Sequence, residues 1–330
     1  MVTRTDATPA AGRNGRWSHR LAVLTAAATL VLIFVGGLVT NTGSALAVPD
    51  WPTTFGYNMF LYPWSKMVGG IFYEHSHRLI GSTVGMLTVA LALSLWLGDS
   101  RRLVRRLGLV ALVGVIIQGI LGGLRVVLLN HSMAIFHACL AQAFFTLLVS
   151  LGVMTSRFWE HAVEAPRPAN AMRLRAVALT ATTLVYLQIV FGAVLTHTGS
   201  GLEAHLLFAM LVIGSIGLLV TRVLTADTRV AQLRRPALLL GMLVVAQLSL
   251  GVGVYLWRFT SMNEAMLPAL GLALQATHRI AGTAVLGTVT LLALRIVRLA
   301  AVAGVSSAPW TAARRVAKPL TADRGGEVLA

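Results

Sequence analysis

Residues 205–223 read HLLFAMLVIGSIGLLVTRV: a histidine, an apolar run, then an arginine. A run of about 20 apolar residues is long enough to cross a hydrocarbon core roughly 30 Å thick. In lipid the backbone has no water to bond, so such a run closes its own hydrogen bonds as a helix. Seven more runs of this kind stand at 21–40, 78–98, 107–128, 133–155, 176–196, 237–257 and 270–295. The chain of 330 residues is 56% hydrophobic and only 12% charged, a composition that excludes a soluble globular domain. The expected fold class is therefore all-α, a polytopic membrane protein with eight transmembrane helices.

The arginine that closes the run has many counterparts. Arg4, Arg13, Arg16 and Arg20 precede the first span; Arg101, Arg102, Arg105 and Arg106 follow the second. Arg157, Arg167, Arg173 and Arg175 follow the fourth, Arg222, Arg229, Arg234 and Arg235 the sixth, and a further group runs from Arg295 to Arg324. Apart from Lys66, Arg78, Arg125, Arg258 and Arg279, every one of the 27 Lys and Arg residues falls on one side of the alternating spans. Both termini are then cytoplasmic by the positive-inside rule. The net charge of +16 orients the chain and meets anionic lipid; it is not a nucleic-acid footprint. Arg13 to Arg20, an apolar run and Ala45-Leu46-Ala47 imitate a signal peptide. The run is too long for one and belongs to an internal repeat, so the first span is expected to be retained. The single cysteine, Cys139, allows no intramolecular disulfide.

That repeat relates residues 36–46, GGLVTNTGSAL, to residues 192–202, GAVLTHTGSGL. A second echo links HRLIGS at 77–82 with HRIAGT at 278–283. The expectation is two pseudo-symmetric four-helix bundles in the same orientation, 21–155 and 176–298. A linker at 156–175 joins them, and tails at 1–20 and 299–330 flank them, all three cytoplasmic. Small residues such as Gly36, Gly37, Gly122, Gly123, Gly251 and Gly253 let helices approach closely; Gly251-Val252-Gly253 inside a span is no dinucleotide fingerprint.

Every even-numbered span runs from outside to inside and has a histidine near its start: His77, His137, His205 and His278. All four thus share the outer leaflet, with His77 and His137 in the first half and His205 and His278 in the second. Neutral imidazole suits iron, and ionisable groups inside spans mark function. Two pairs at one depth can clamp two hemes. His75, His131 and His197 lie outside as supporting or interfacial residues, and His19 and His161 are expected to be solvated on the cytoplasmic side.

Glu74 precedes His77 by three residues and shares its helix face if the helix has already begun. It is either a proton-handling carboxylate at a heme edge or a charge favoured by the helix dipole. Arg78 and Arg279 follow ligand candidates directly and suit either a heme propionate or lipid headgroups. Glu203 reads as loop and Cys139 as a buried, inert thiol. The outside loop 41–73 carries Pro49-Asp50-Trp51-Pro52, Phe55, Tyr57, Phe60, Tyr62 and Trp64, and reads as an interfacial belt or as a lid over the first half. Its counterpart, 197–204, is short.

These residues resemble the heme A synthase family over about 20–300. The resemblance rests on Thr42-Gly43-Ser44, the Pro49-Asp50-Trp51-Pro52 loop, Glu74, His77-Arg78, His137, His205 and His278-Arg279. It implies an oxidoreductase that converts the C8 methyl of heme O to a formyl, giving heme A for terminal oxidases. By the same resemblance His77 and His137 face the substrate heme O with Glu74 as the essential carboxylate, while His205 and His278 ligate a resident heme b. The implied setting is the bacterial cytoplasmic membrane, with heme sites toward the outer leaflet. The implied partners are heme O, a heme O synthase, terminal oxidase assembly factors and an electron acceptor. Many bacterial members carry a cysteine pair in the first outside loop; this loop has none, so a mechanism needing those thiols cannot operate here.

The alternative reading is a diheme b-type electron carrier or heme-handling protein without bond chemistry. Such carriers stack hemes across the bilayer on histidines several turns apart in one helix, a spacing no span here shows. Prenyl transfer would need paired acidic clusters for magnesium diphosphate, and the spans contain none.

Overall fold

The computed structural model describes residues 14–128, 132–161, 171–225 and 231–306. Both chain tails beyond these bounds, His131 and residues 162–170 of the expected linker lie outside the described residues. The chain folds as α1 (Asn14–Asn41), α2 (Gly70–Gly98), α3 (Arg102–Leu128), α4 (Ser132–Met154), the short α5 (Arg157–His161), α6 (Ala171–Thr198), α7 (Leu202–Thr225), α8 (Ala231–Phe259) and α9 (Pro268–Ser306). All but α5 are long and apolar enough to cross a membrane, which makes eight spans. Large apolar side chains stand exposed along them, among them Leu97, Leu103, Ile116, Leu207, Met210 and Val245. A soluble protein does not expose apolar surface on this scale, whereas lipid covers it without cost. The chain is an integral membrane protein.

Packing follows two closed rings. In the first, α1 packs on α2, α2 on α3, α3 on α4 and α4 back on α1; in the second the same order runs α6, α7, α8, α9. This is the pattern two repeated four-helix bundles would give. Each ring has its own apolar core. Ala22, Val84, Leu91, Leu95, Ala111 and Leu148 belong to one, and Ala181, Ile216, Leu219, Leu240, Leu286 and Ile296 to the other. Both clusters draw mainly on the helix ends remote from His77, His137, His205 and His278. The rings meet where α9 packs on α1 and α4, and where α4 packs on α6. Gln142 of α4 donates to Thr283 Oγ1 of α9 at 3.0 Å, and the Tyr186 hydroxyl of α6 donates to the Cys139 carbonyl at 3.1 Å.

Several sequence expectations shift. α2 begins at Gly70, eight residues before its apolar run, because hydropathy marks where apolarity starts and the polar segment Glu74–Arg78 is already helical. The outside loop therefore spans 42–69 rather than 41–73. Glu203 stands in the first turn of α7, not in a loop. Cys139 is half-buried rather than buried. His19 is not simply solvated: its Nδ1 lies 3.0 Å from the Gly152 carbonyl, tying α1 to α4. His161 is exposed as expected.

Candidate functional site

Each histidine faces a glycine on the helix before its own. A Cβ on Gly36 of α1 would lie 2.9 Å from Cε1 of His77, and one on Gly122 of α3 would lie 3.5 Å from Cε1 of His137. On Gly192 of α6 and Gly251 of α8 it would lie 3.2 Å from Cε1 of His205 and His278 respectively. Four rings thus rest on four bare stretches of helix, a four-fold regularity inside the two-fold repeat. The Nδ1 atoms of His77, His137 and His278 are buried without a partner.

Each ring of helices carries two of the four histidines, His77 and His137 in the first and His205 and His278 in the second. Their helices, α2 with α4 and α7 with α9, stand diagonally across each ring rather than side by side. Among the described residues no three His, Cys, Asp or Glu side chains gather into a set that could hold a bare metal ion. Two histidines on diagonal helices in each ring, outside the apolar core clusters and with buried nitrogens lacking partners, fit a heme, which brings its own equatorial nitrogens.

Loop 42–69 covers the first ring and is fastened to α2 by charge. Glu74, 5% exposed, accepts from the Val48 amide at 2.9 Å through Oε2 and from Arg78 Nη2 at 2.9 Å through Oε1. Arg78 also donates from Nη1 to the carbonyls of Asp50 at 2.7 Å and Thr53 at 2.9 Å, and from Nη2 to that of Val48 at 3.1 Å. Both terminal nitrogens of Arg78 are therefore taken up by the loop and Glu74, an employment the sequence did not suggest. Glu74 stands in the second turn of α2, which removes the helix-terminus reading and puts it on the His77 side.

Within the loop, Phe55 and Gly56 take φ of 50° and 76° and close a tight turn, with Thr54 and Tyr57 exchanging backbone hydrogen bonds at 3.1 and 3.0 Å. Only glycine adopts such a φ freely, so Phe55 is held there by the Asp50 carboxylate, which accepts the amides of Phe55 at 2.7 Å and Gly56 at 2.9 Å. Burial alone would raise the Asp50 carboxyl; the Gly56 amide, the Thr53 hydroxyl and the Phe55 amide outweigh it and hold it below the usual range. Beneath the turn His75 is buried, its Nδ1 3.1 Å from Thr54 Oγ1 and its ring 5.0 Å from that of Tyr62. The Trp51 indole lies directly on Gly123 of α3.

The second ring has no such cover: only residues 199–201 separate α6 from α7. At the place matching Glu74 it carries Gln275, which donates to Gly271 of its own helix at 3.2 Å. Arg279 thus has no carboxylate partner among the described residues. It lies against Gly37 of α1 and donates weakly, at 3.3 Å, to Asn41 Oδ1.

Fold and site together define an integral membrane protein with two histidines on diagonal helices in each half, one half covered by a charge-fastened loop. Residues 19–204 match the family model described as cytochrome oxidase assembly protein. Among similar proteins, the heme A synthase of Shouchella clausii is 38% identical over 109 residues, 31% of this chain and 34% of that protein. The heme A synthase of Alkalihalophilus pseudofirmus is 32% identical over 102 residues, 30% of this chain and 33% of its own length. That of Bacillus licheniformis is 27% identical over 187 residues, 55% of this chain and 59% of that protein. The matches thus span between about a third and three fifths of these relatives. The chain belongs to the heme A synthase family.

Proposed function

We propose that this protein oxidises the C8 methyl of heme O to a formyl group, producing heme A for terminal oxidases. The observation that supports this reading is the placement of two histidines on diagonal helices in each ring, outside the apolar core clusters. The first half (21–155) takes heme O between His77 and His137 under the loop; the second (176–298) keeps heme b between His205 and His278. The arginine distribution puts both termini in the cytoplasm and both sites toward the outer leaflet.

The bound iron supplies the redox capacity for the oxidation; the protein supplies place, orientation and proton handling. His77 and His137 hold the substrate at fixed depth, and Gly36 and Gly122 let the Cε1 edges of their rings approach the neighbouring helices. Glu74 is the carboxylate positioned to take protons from the reacting edge. Its oxygens each accept one hydrogen bond, from Arg78 and from the Val48 amide, which ties the carboxylate to the loop while leaving a lone pair on each oxygen. Arg279, without a carboxylate of its own, suits a heme propionate. Taking the methyl to a formyl adds one oxygen atom, from water, and releases four protons and four electrons, so heme O, water and an electron acceptor are the reactants this chemistry requires, with lipid around them; a heme O synthase and oxidase assembly factors stand before and after it.

The test is chromatographic identification of hemes extracted from the purified protein after expression with a source of heme O. Heme A or a hydroxylated intermediate, together with heme b, is expected. Heme b alone, with heme O unconverted, would make the protein an electron carrier on the same scaffold.

A further inference from the structure

The short helix α5 belongs to the connection between the two halves and touches both. Phe158 packs against the apolar core of the second ring, and its neighbour Trp159 against that of the first. Two arginines of α9 hold it there. The Arg295 guanidinium stands 5.1 Å from the centre of the Phe158 ring and that of Arg298 5.2 Å from the Trp159 ring, a cation over an aromatic face in each case. Arg298 Nε also donates to the Trp159 carbonyl at 3.1 Å, and Arg295 Nη1 reaches α8 and donates to the Gln232 carbonyl at 2.6 Å. Beside this clasp is a cavity of about 220 Å³ lined by Arg157, Phe158, His161 and Gln232. His161 Nδ1 donates to the Arg157 carbonyl at 2.9 Å, which fixes the imidazole one turn along from Arg157.

The charge here is uncompensated. Among the described residues ion pairs form only at Arg78–Glu74 and Arg101–Asp99, so Arg157, Arg295 and Arg298 have no carboxylate at hand. Glu160, the one acid of α5, acts on Arg101 at the start of α3 instead. α4 ends at Met154 and α8 begins at Ala231, which puts the cavity at the ends of the spans on the arginine-rich side, at the depth of lipid headgroups. A guanidinium donates well to phosphate oxygens, and basic pockets between spans on this side suit anionic headgroups. An apolar path leads from the cavity into the bilayer. Leu239 is seven residues on from Gln232, hence on the same helix face, and is exposed, as is Met242 beyond it. We propose that this cavity binds the phosphate of an anionic glycerophospholipid, whose acyl chains lie along α8. The bound lipid ties α5 to α8 at the junction of the two halves.

The experiment titrates the purified full-length protein in detergent with phosphatidylglycerol or phosphatidylcholine and reads retained lipid by native mass spectrometry, together with the melting temperature. One phosphatidylglycerol should be retained in preference to phosphatidylcholine, and it should raise the melting temperature. Arg157→Gln should weaken its binding about fivefold and Arg157→Glu about thirtyfold, as expected for the loss of one and of two units of charge near a headgroup. Arg106→Gln, exposed at the start of α3 on the same membrane side, should bind as the parent does. Arg157 is itself exposed, so its variants should melt as the parent does in phosphatidylcholine. An equal loss in Arg106→Gln would replace the site by diffuse surface attraction, and equal retention of phosphatidylcholine would remove the charge argument. The same stabilisation by glycerol phosphate, which has no acyl chains, would make this a site for free anions. Each of these three results overturns the proposal, and none of the readouts involves heme, so the functional reading above would stand.

Discussion

Adding a methyl group at two of the glycines should have opposite consequences. Gly36→Ala places a Cβ 2.9 Å from His77 Cε1, about 0.5 Å inside the 3.4 Å at which ordinary contacts begin. Gly122→Ala places one 3.5 Å from His137 Cε1, already an ordinary contact. Both substitutions favour helix by about 1 kcal/mol. Only the first must push an imidazole that is boxed in by α1, at an overpacking cost of about 1–3 kcal/mol. That cost, if borne by ligation, weakens heme O binding at the first site about five- to a hundred-fold. Titration of purified variants with heme O, read by absorption and paired with thermal denaturation, measures both effects. Gly122→Ala should bind as the parent does and melt at or above its temperature; Gly36→Ala should bind more weakly. Equal affinity in the two variants would mean that His77 does not lie on Gly36, and the argument from the glycine rows would fall.

His205→Ala or His278→Ala should strip the tightly bound heme from the purified protein, and an unchanged absorption spectrum would sink their assignment as ligands. Glu74→Gln leaves Arg78 buried without its carboxylate. Removing one partner of a buried pair costs about 3–5 kcal/mol, part of which the three carbonyls on Arg78 offset. Proteolysis within 49–69 should accelerate, heme b should remain and heme A should disappear; normal product with a protected loop would contradict both roles. The Asp50 carboxyl is depressed in the folded loop, so its hold on the Phe55–Gly56 turn is complete above its ordinary value of 3.8 and is lost as pH falls through the lower folded value. Trp51 fluorescence should report the loop loosening only in that acid window; release on raising the pH instead would reverse the sign of the argument.

The eight spans were legible because a lipid-facing helix must be apolar along its length, and the start of α2 was not, because Glu74 to Arg78 is polar. That segment is tolerated in a span because the loop folds over and supplies acceptors for Arg78. Those acceptors are backbone carbonyls of Val48, Asp50 and Thr53, invisible to any reading of side chains. The histidine pairs could be read from the two-fold repeat. The glutamines beside them could not, although Gln118-x-x-x-Gly122, Gln188-x-x-x-Gly192 and Gln247-x-x-x-Gly251 stand in plain view. A glutamine one turn from a glycine is too common a pairing to notice until the structure shows a ring lying against it. Arg78 and Arg279 look equivalent in sequence and differ because only one of them has a carboxylate four residues before it.

That difference has an electrical consequence. Around Arg78 the charges cancel locally, whereas at Arg279 a full positive charge persists in a poorly screened setting. A fixed cation stabilises whatever nearby group carries an extra electron. The replacement of a single carboxylate by an amide at position 275 thus gives the two halves of a duplicated scaffold unlike electrostatics.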